Sequence, residues 1–284
     1  MALESFSEAA FVFLRPRRSG KSLGLSTLAH FHGREHLPDY KLLFEGLAID
    51  EHVAHNRVFP GRYFVLKFDF SVVERSQDRN MAKHNLNLML NQSIKRFYRT
   101  YEPYLRRSAD DLIENIIRDD ATASLTACVD VIYLMADEYD SYSNEYLVTN
   151  DSVHWKPTRR AEPDSPLKGF WAAVKSGLGS AISKCYITSV SPLCLADGTS
   201  GFNVVRYVSW ESKLAGFCDL TEADVVAALA LEEVCGSIAK AKTHLKIMKD
   251  RYNGFNFVPG GRGPLTFNTN TCLEYLQASW KESR

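Results

Sequence analysis

Residues Phe13–Leu28 read FLRPRRSGKSLGLSTL. A compact apolar run, AAFVFL at Ala9–Leu14, stops at a basic turn, and a helix-like run follows from Gly20 until Gly33 ends it. Strand, turn and helix in that order are the setting of a phosphate-binding loop. There, backbone N–H groups converge on an anion at a helix N-terminus, where the macrodipole favours negative charge. The chemistry also needs a lysine that reaches the terminal phosphates and a hydroxyl for magnesium. Gly20, Lys21 and Ser22 supply that end of the pattern. The full pattern G-x-x-x-x-G-K-[ST] asks for glycine at position 15, where Arg15 stands; Pro16 fixes its own φ and offers another way to hold the turn. Taken alone, SGKS reads equally as a basic helix N-terminus on the surface.

Working outward, VIYLMADEYD (Val131–Asp140) is an apolar strand that ends in Asp137 and Glu138. Magnesium takes hard oxygen ligands and keeps several waters, so one carboxylate at a strand end can hold it, often through water. A neighbouring glutamate can polarise the water that attacks a γ-phosphate. An acidic turn after a buried strand is the plainer alternative. Order and distance favour the first reading: in a doubly wound sheet both segments end at the carboxyl edge, where ligands bind. CYITSVSP (Cys185–Pro192) ends another apolar strand in Thr188 and Ser189, which either touch the γ-phosphate side or cap the next turn.

The remaining chain supports an α/β fold. RYFVLKFDFSVV (Arg62–Val73) reads as a strand, Asn80–Thr100 as a helix, and SADDLIENIIRDD as a second helix capped by Ser108. LKGFWAAVKSGLGSAIS reads as a helix, KCYITSVS as a strand and NVVRYVSW as a fifth strand; Thr149–Pro166 reads as a polar loop or insertion. Strands alternating with helices predict a parallel sheet covered on both faces. Past Leu214 the pattern turns helical, with Thr221 at the start of TEADVVAALALEEV and a further helix in GSIAKAKTHLKIMKDRY. The expected division is therefore a core over 1–213 and a helical, lid-like subdomain over 214–284.

Bulk properties set bounds. The 284 residues are 45% hydrophobic and 24% charged, with Lys+Arg and Asp+Glu both at 34. A sizeable core is expected, and the neutral balance gives no global argument for nucleic acid or an acidic membrane. Cys128, Cys185, Cys194, Cys218, Cys235 and Cys272 form no C-x-x-C pair, so reduced thiols and an intracellular, cytoplasmic or nuclear, setting are expected. The start lacks the pattern of a signal peptide, and no apolar run approaches the roughly 20 residues of a membrane helix. His30, His32 and His36 read as a solvated helix end rather than a zinc site, because His30 and His32 do not share a helix face. Asp69 is an alternative site acid or a turn former. Arg15, Arg17 and Arg18 are candidate phosphate neutralisers or a finger for a neighbouring subunit, or else a solvated basic turn; Arg206 is a weaker finger candidate. YNGFNF (Tyr252–Phe257) reads as a turn with packing aromatics, or as a contact for base or ribose.

FLRPRRSGKSLGLSTL, FVLKFDFS, MADEYDSY, YITSVSPLCLADGTSGFN, GFCDLTEADVVAAL and YNGFNF, in this order over about Phe11 to Trp280, resemble the AAA-ATPase-like family. Fungal genomes carry many such proteins, and bacterial relatives often bear a restriction-type nuclease domain; nuclease activity is not expected of the residues read here. An arginine in place of the first glycine is a feature of that family. The resemblance implies a P-loop NTPase fold of the additional-strand type, sheet order 5-1-4-3-2. It implies that Arg18, Ser19, Gly20, Lys21, Ser22 and Leu23 hold ATP, with Lys21 on the β- and γ-phosphates. Ser22 and Asp137 would serve Mg2+, the latter through water, with Glu138 as catalytic base and Thr188 as the sensor of the fourth strand. Two positions depart from relatives: Ser19 where a bulky apolar residue is usual, and Ser189 where glycine is usual. Relatives also carry some tens of residues upstream, so a truncated chain is expected. The function this implies is Mg-dependent ATP hydrolysis coupled to conformational change, with self-association or a protein partner. The alternatives are a nucleotide-holding regulatory or scaffold module without turnover, and a nucleic-acid-associated protein of mobile-element or defence origin.

Overall fold

The computed structural model describes residues 2–76, 78–126, 132–142, 166–191, 202–231, 234–252 and 254–282. By its internal contacts the chain divides into two compact units, one of Met1–Leu14 with Leu25–Arg206 and one of Arg15–Gly24 with Tyr207–Arg284.

The first unit is built on a sheet. Its strands are β1 (Ala10–Leu14), β2 (Phe64–Asp69), β3 (Ile132–Asp137), β4 (Ile182–Ser189) and the short β5 (Arg206–Tyr207), in the order β2-β3-β4-β1-β5. Read from the other edge this is 5-1-4-3-2, the order the resemblance implies. The pairs β2–β3, β3–β4 and β1–β4 are parallel. The sequence accounts for the strand positions. All six residues of β3 are buried, as expected of an interior parallel strand covered on both faces. β2 exposes Lys67, and it lies at the sheet edge.

Helices α1 (Lys21–His32), α2 (Tyr40–Phe44), α3 (Ala48–Ala54), α4 (Arg79–Tyr101), α5 (Ala109–Glu114), α6 (Ala121–Thr126) and α7 (Pro166–Gly177) follow in the chain. α4 packs on β2, and α6 lies against α4 and α7. Phe31, Phe44 and Val58 form a satellite cluster beneath α2 and α3. Ser108 caps α5 as read from the sequence, its Oγ accepting from Asp111 N at 3.1 Å, and Asp78 caps α4 by accepting from Met81 N at 2.7 Å. Several elements are shorter than their sequence patterns: β5 keeps two residues of NVVRYVSW and α5 six of SADDLIENIIRDD, and β2 and α7 also stop early. β2 stops at Asp69, whose Oδ1 accepts from Ser71 N and Ser71 Oγ at 3.0 and 2.6 Å and so turns the chain. α7 stops at Gly177, and Gly179 at φ 80 supplies the left-handed residue that ends it. The loop expected over Thr149–Pro166 lies outside the described residues, apart from Pro166, which opens α7.

The second unit carries a two-stranded antiparallel ribbon, β6 (Leu220–Thr221) with β7 (Thr266–Phe267), and three helices, α8 (Glu222–Leu229), α9 (Ile238–Tyr252) and α10 (Thr269–Glu282). Its core joins Val225, Leu229, Ala241, Leu245, Met248, Phe267 and Cys272. Thr221 and Asp224 form a reciprocal capping box at α8, so the helix start read at Thr221 has its physical cause. The ribbon is not legible in the sequence, because two residues per strand leave no periodic signal.

Candidate functional site

The loop that follows β1 is shaped by its own charges. Arg15 stands where the usual pattern has glycine, and it is 1% exposed. Its Nη1 donates to Ser209 O at 2.8 Å and its Nη2 to Leu214 O at 3.2 Å; Nε lies 3.5 Å from Asp219 Oδ2. The guanidinium also sits 3.8 Å above the Phe257 ring. Arg15 is therefore not a phosphate neutraliser or a finger, as two of its sequence readings had it, nor part of a solvated turn. A buried guanidinium with several fixed acceptors is a structural tie, and its length is what glycine could not supply. Burial pushes the Asp219 carboxyl above its ordinary range, against the opposing pull of the Ser19 hydroxyl, Arg15 and Lys21.

Beyond Arg15 the backbone turns twice through left-handed conformations, at Arg18 (φ 64) and Gly20 (φ 81). A Cβ at Gly20 would stand 3.0 Å from Cys218 O, so both conformation and space call for glycine there. Lys21 is 5% exposed, and its Nζ donates to Pro16 O at 3.0 Å, so the loop curls over the ammonium at the first residue of α1. Ser22 and Leu23, next along α1, are exposed. Two residues ahead of α10's first turn and at its start fasten the loop from the side. Asn268 Nδ2 donates to Arg17 O at 2.9 Å and to Ser19 Oγ at 3.2 Å, and Thr269 Oγ1 donates to Cys218 O at 2.7 Å. Ser19 is buried, and its hydroxyl accepts the Asn268 contact. Asp219, Asn268 and Thr269 were not singled out from the sequence. Only FCDLT and FNTNT, polar islands in apolar stretches, could have drawn attention to them.

Arg17 and Arg18 are exposed and open onto a cavity of about 360 Å³ in the same unit, lined also by Tyr252, Phe255, Asn268 and Thr271. Tyr252 and Phe255 of the YNGF segment pack edge-on to Tyr275 and stacked on Phe257, as the packing reading expects, and stay 40% and 41% exposed. Asn253, expected in that turn, lies outside the described residues.

The carboxyl ends of the strands belong to the first unit. Leu14 is in register with Ser189, and Asp69 with Asp137. Asp137 is 3% exposed, and its Oδ1 accepts a 2.5 Å hydrogen bond from Thr188 Oγ1, itself fully buried. The two residues read separately from the ends of β3 and β4 thus touch. No cationic side chain pairs with Asp137 among the described residues, which leaves a buried carboxylate whose charge is met by one hydroxyl. Glu138, half-buried, adopts φ 47, a conformation a side chain takes only where its surroundings impose it. What imposes it lies directly after. Tyr139 N donates to Thr188 O at 3.3 Å, Tyr139 Oη donates to Ser191 O at 3.0 Å, and Asp140 accepts from Ser191 N at 2.9 Å. The DEYD run is therefore a clasp: Asp137 and Asp140 bind the end of β4, with Glu138 held on the bend between them. Ser189 is fully buried and its hydroxyl has no hydrogen-bond partner among the described residues.

The other candidates separate. Asp69 is the turn former described above. Arg206 is no finger: its Nη1 donates to both oxygens of Glu8 at 3.1 Å and its guanidinium lies 4.2 Å over Phe6. His30 Nδ1 bonds Ser26 O at 2.7 Å and stacks on His36 at 4.0 Å. His32 is buried rather than solvated, edge-on to Tyr63 and tilted against Tyr133. Burial holds its imidazole down at about 3, although Glu4 Oε1 lies 3.7 Å from Nε2; desolvation outweighs that contact. Among the described residues no three His, Cys, Asp or Glu side chains converge as a metal cage, and no helix is long and apolar enough to cross a membrane. Cys185 and Cys272 are buried free thiols, Cys218 and Cys235 are partly exposed free thiols, and Cys128 and Cys194 lie outside the described residues.

Comparison with curated proteins and with solved structures returns no match. A family model does: the one described as a predicted AAA-ATPase matches residues 2–198, more than half of the 284. On that match, the chain belongs to the AAA-ATPase-like family.

Proposed function

We propose that this chain binds ATP at the loop Arg18–Leu23 and hydrolyses it with Glu138 as the base. Membership of a family of predicted AAA-ATPases supports nucleotide use at the coarse level. The observation that carries the finer reading is Lys21. Its ammonium is almost fully buried at the N-terminus of a helix, under a loop with two left-handed residues, and among its contacts it donates to Pro16 O. A lysine at that position offers phosphate oxygens a charged donor, and a hydrogen bond between two charged groups is stronger than one to a neutral group. The helix N-terminus and the N–H groups of Gly20 to Ser22 favour the same anion.

In this reading Ser22 and Asp137 would serve magnesium. Ser22 offers an exposed hydroxyl, and Asp137 offers a buried carboxylate with no cation beside it among the described residues. Magnesium, when bound, supplies positive charge that neutralises the phosphate oxygens and the leaving group. In this reading Thr188 holds Asp137 in one orientation. Glu138, fixed by the DEYD clasp, accepts a proton from the attacking water. Product release and closure of the helical subdomain would follow loss of the γ-phosphate, a proposal that rests on the family likeness.

The test is calorimetric titration of the full chain with ATP, with and without magnesium, beside Lys21→Ala. Loss of one charge-assisted contact is expected to weaken binding by about 10- to 100-fold, the equivalent of about 1.4–2.8 kcal/mol. Equal affinity in the two proteins overturns the reading. Glu138→Gln then separates turnover from binding. Retained affinity with phosphate release lost supports hydrolysis. A parent that binds ATP yet releases no phosphate, and a variant that behaves alike, leave a nucleotide-holding module.

A further inference from the structure

A second cavity, of about 380 Å³, opens in the sheet-bearing unit, independent of the nucleotide reading. Its walls are α1, the turn after it, the edge strand β2 and α4. The floor is apolar: Val65, Met89 and Phe97, all buried. Its volume is at the lower end of the roughly 300–1,000 Å³ range of small-molecule sites.

The charges around it are unevenly spent. Two carboxylates line the cavity, and both are engaged internally. Asp69 accepts from Ser71 N and Ser71 Oγ. Glu35 accepts from the Tyr101 hydroxyl, which in turn accepts from Val65 N at 2.8 Å, and its other oxygen lies 3.7 Å from His36 Nε2. The two strong cations, Lys67 from β2 and Arg96 from α4, have no hydrogen bond or ion pair among the described residues. Nor does α4 offer them a partner. Over its whole length it carries Arg79, Lys83, Lys95, Arg96 and Arg99 and no Asp or Glu. In a chain of zero net charge this is a strong local excess. The cavity is also lined by neutral groups that can donate, Gln92, Ser93 and Thr100, and by the stacked His30–His36 pair.

We propose that this cavity binds a small phosphomonoester. A guanidinium fork and an ammonium arriving from different elements, with hydroxyls lining the same cavity, match a tetrahedral dianion with several acceptor oxygens. The apolar floor takes a short organic body. Because Ser26, Ala29 and His30 of α1 line the cavity, its occupant touches the helix whose first turn holds Lys21 and Ser22.

The experiment is titration of the full chain at constant ionic strength with glycerol 3-phosphate, inorganic phosphate, glycerol and citrate. Lys67→Ala, Arg96→Ala and Lys21→Ala are measured in parallel. Lys67 and Arg96 are exposed, and unchanged circular dichroism verifies that their variants fold. Glycerol 3-phosphate is expected to bind and glycerol not. Lys67→Ala and Arg96→Ala should each weaken binding about 10-fold, as loss of one charge-assisted contact does, and Lys21→Ala should leave it unchanged. Three results overturn the proposal. One is a dissociation constant for both phosphates weaker than about 1 mM in the parent. Another is insensitivity to Lys67 and Arg96, with or without loss in Lys21→Ala. The last is tighter binding of citrate than of either phosphate, which would make the site one for carboxylates.

Discussion

Replacing Arg15 with methionine tests whether this arginine is a structural tie. The substitution keeps much of the side-chain volume but removes the guanidinium. Asp219, whose side chain is fully buried beside it, then loses its only ion pair among the described residues. Breaking one partner out of a buried pair is worth about 3–5 kcal/mol, because the remaining buried charge is left with the Ser19 hydroxyl and the pull of Lys21 alone. The carbonyls of Ser209 and Leu214 lose a charged donor at the same time. That total is a large part of an ordinary domain's stability, about 5–15 kcal/mol. The assay is urea unfolding of the full chain, with hydrogen exchange over residues 207–282 to locate the loss. The pH dependence has a definite sign. Asp219 already has a raised folded-state value, so the folded protein binds more protons than the unfolded one above 3.8, and stability falls as pH rises through that raised value. Without Arg15 the carboxyl moves further up, so the deficit of Arg15→Met should narrow at acid pH. Adding Asp219→Leu should restore most of the stability, since a buried pair replaced by apolar groups is close to neutral. A loss below about 1 kcal/mol, the scale of a solvated pair, would refute the reasoning.

Three further outcomes are expected. Gly20→Ala should destabilise by more than the roughly 1–2 kcal/mol of a left-handed alanine, because its Cβ would also meet Cys218 O at 3.0 Å. Gly46→Ala, at φ 76 with open space around it, should show the conformational part alone; equal melting-temperature shifts in the two would remove the steric argument. Thr188→Val should cost about 1.5–3 kcal/mol in denaturant unfolding, the value of a hydrogen bond to a charged group, and Thr188→Ser should restore most of it. His32 has a folded-state value of about 3 against 6.5 unfolded, so it contributes stability that is complete above 6.5 and lost as pH falls toward 3. The slope in that window should approach about 1.4 kcal/mol per pH unit, and a His32→Phe variant that keeps the slope would show that another group is responsible.

The order of elements was open to reading because the four longer strands of the sheet each have a local signature. Ile132–Asp137 is wholly apolar until its last residue, and helix starts carry their own caps at Ser108 and Thr221. Residue chemistry also singled out Lys21, Asp137 and Thr188, since the kind of side chain at a strand end or helix start is visible in the chain itself. The helical character of the region past Leu214 was equally plain, whereas the β6–β7 ribbon within it was not.

What the amino-acid order determined by itself was periodicity and local chemistry: which segments are apolar, where they stop, and which side chains stand at the stops. Tertiary structure decided which of those side chains spend their charge internally. RPRR looks like three equivalent arginines, yet one is buried against Asp219, some 200 positions on, while the next two face a cavity. DEYD looks like an acidic turn, yet Tyr139 and Asp140 close a clasp on Ser191. The physical reason is the same in both cases. A charge or hydroxyl is worth little or much according to whether water or a fixed partner faces it, and partners distant in sequence leave no trace in local pattern.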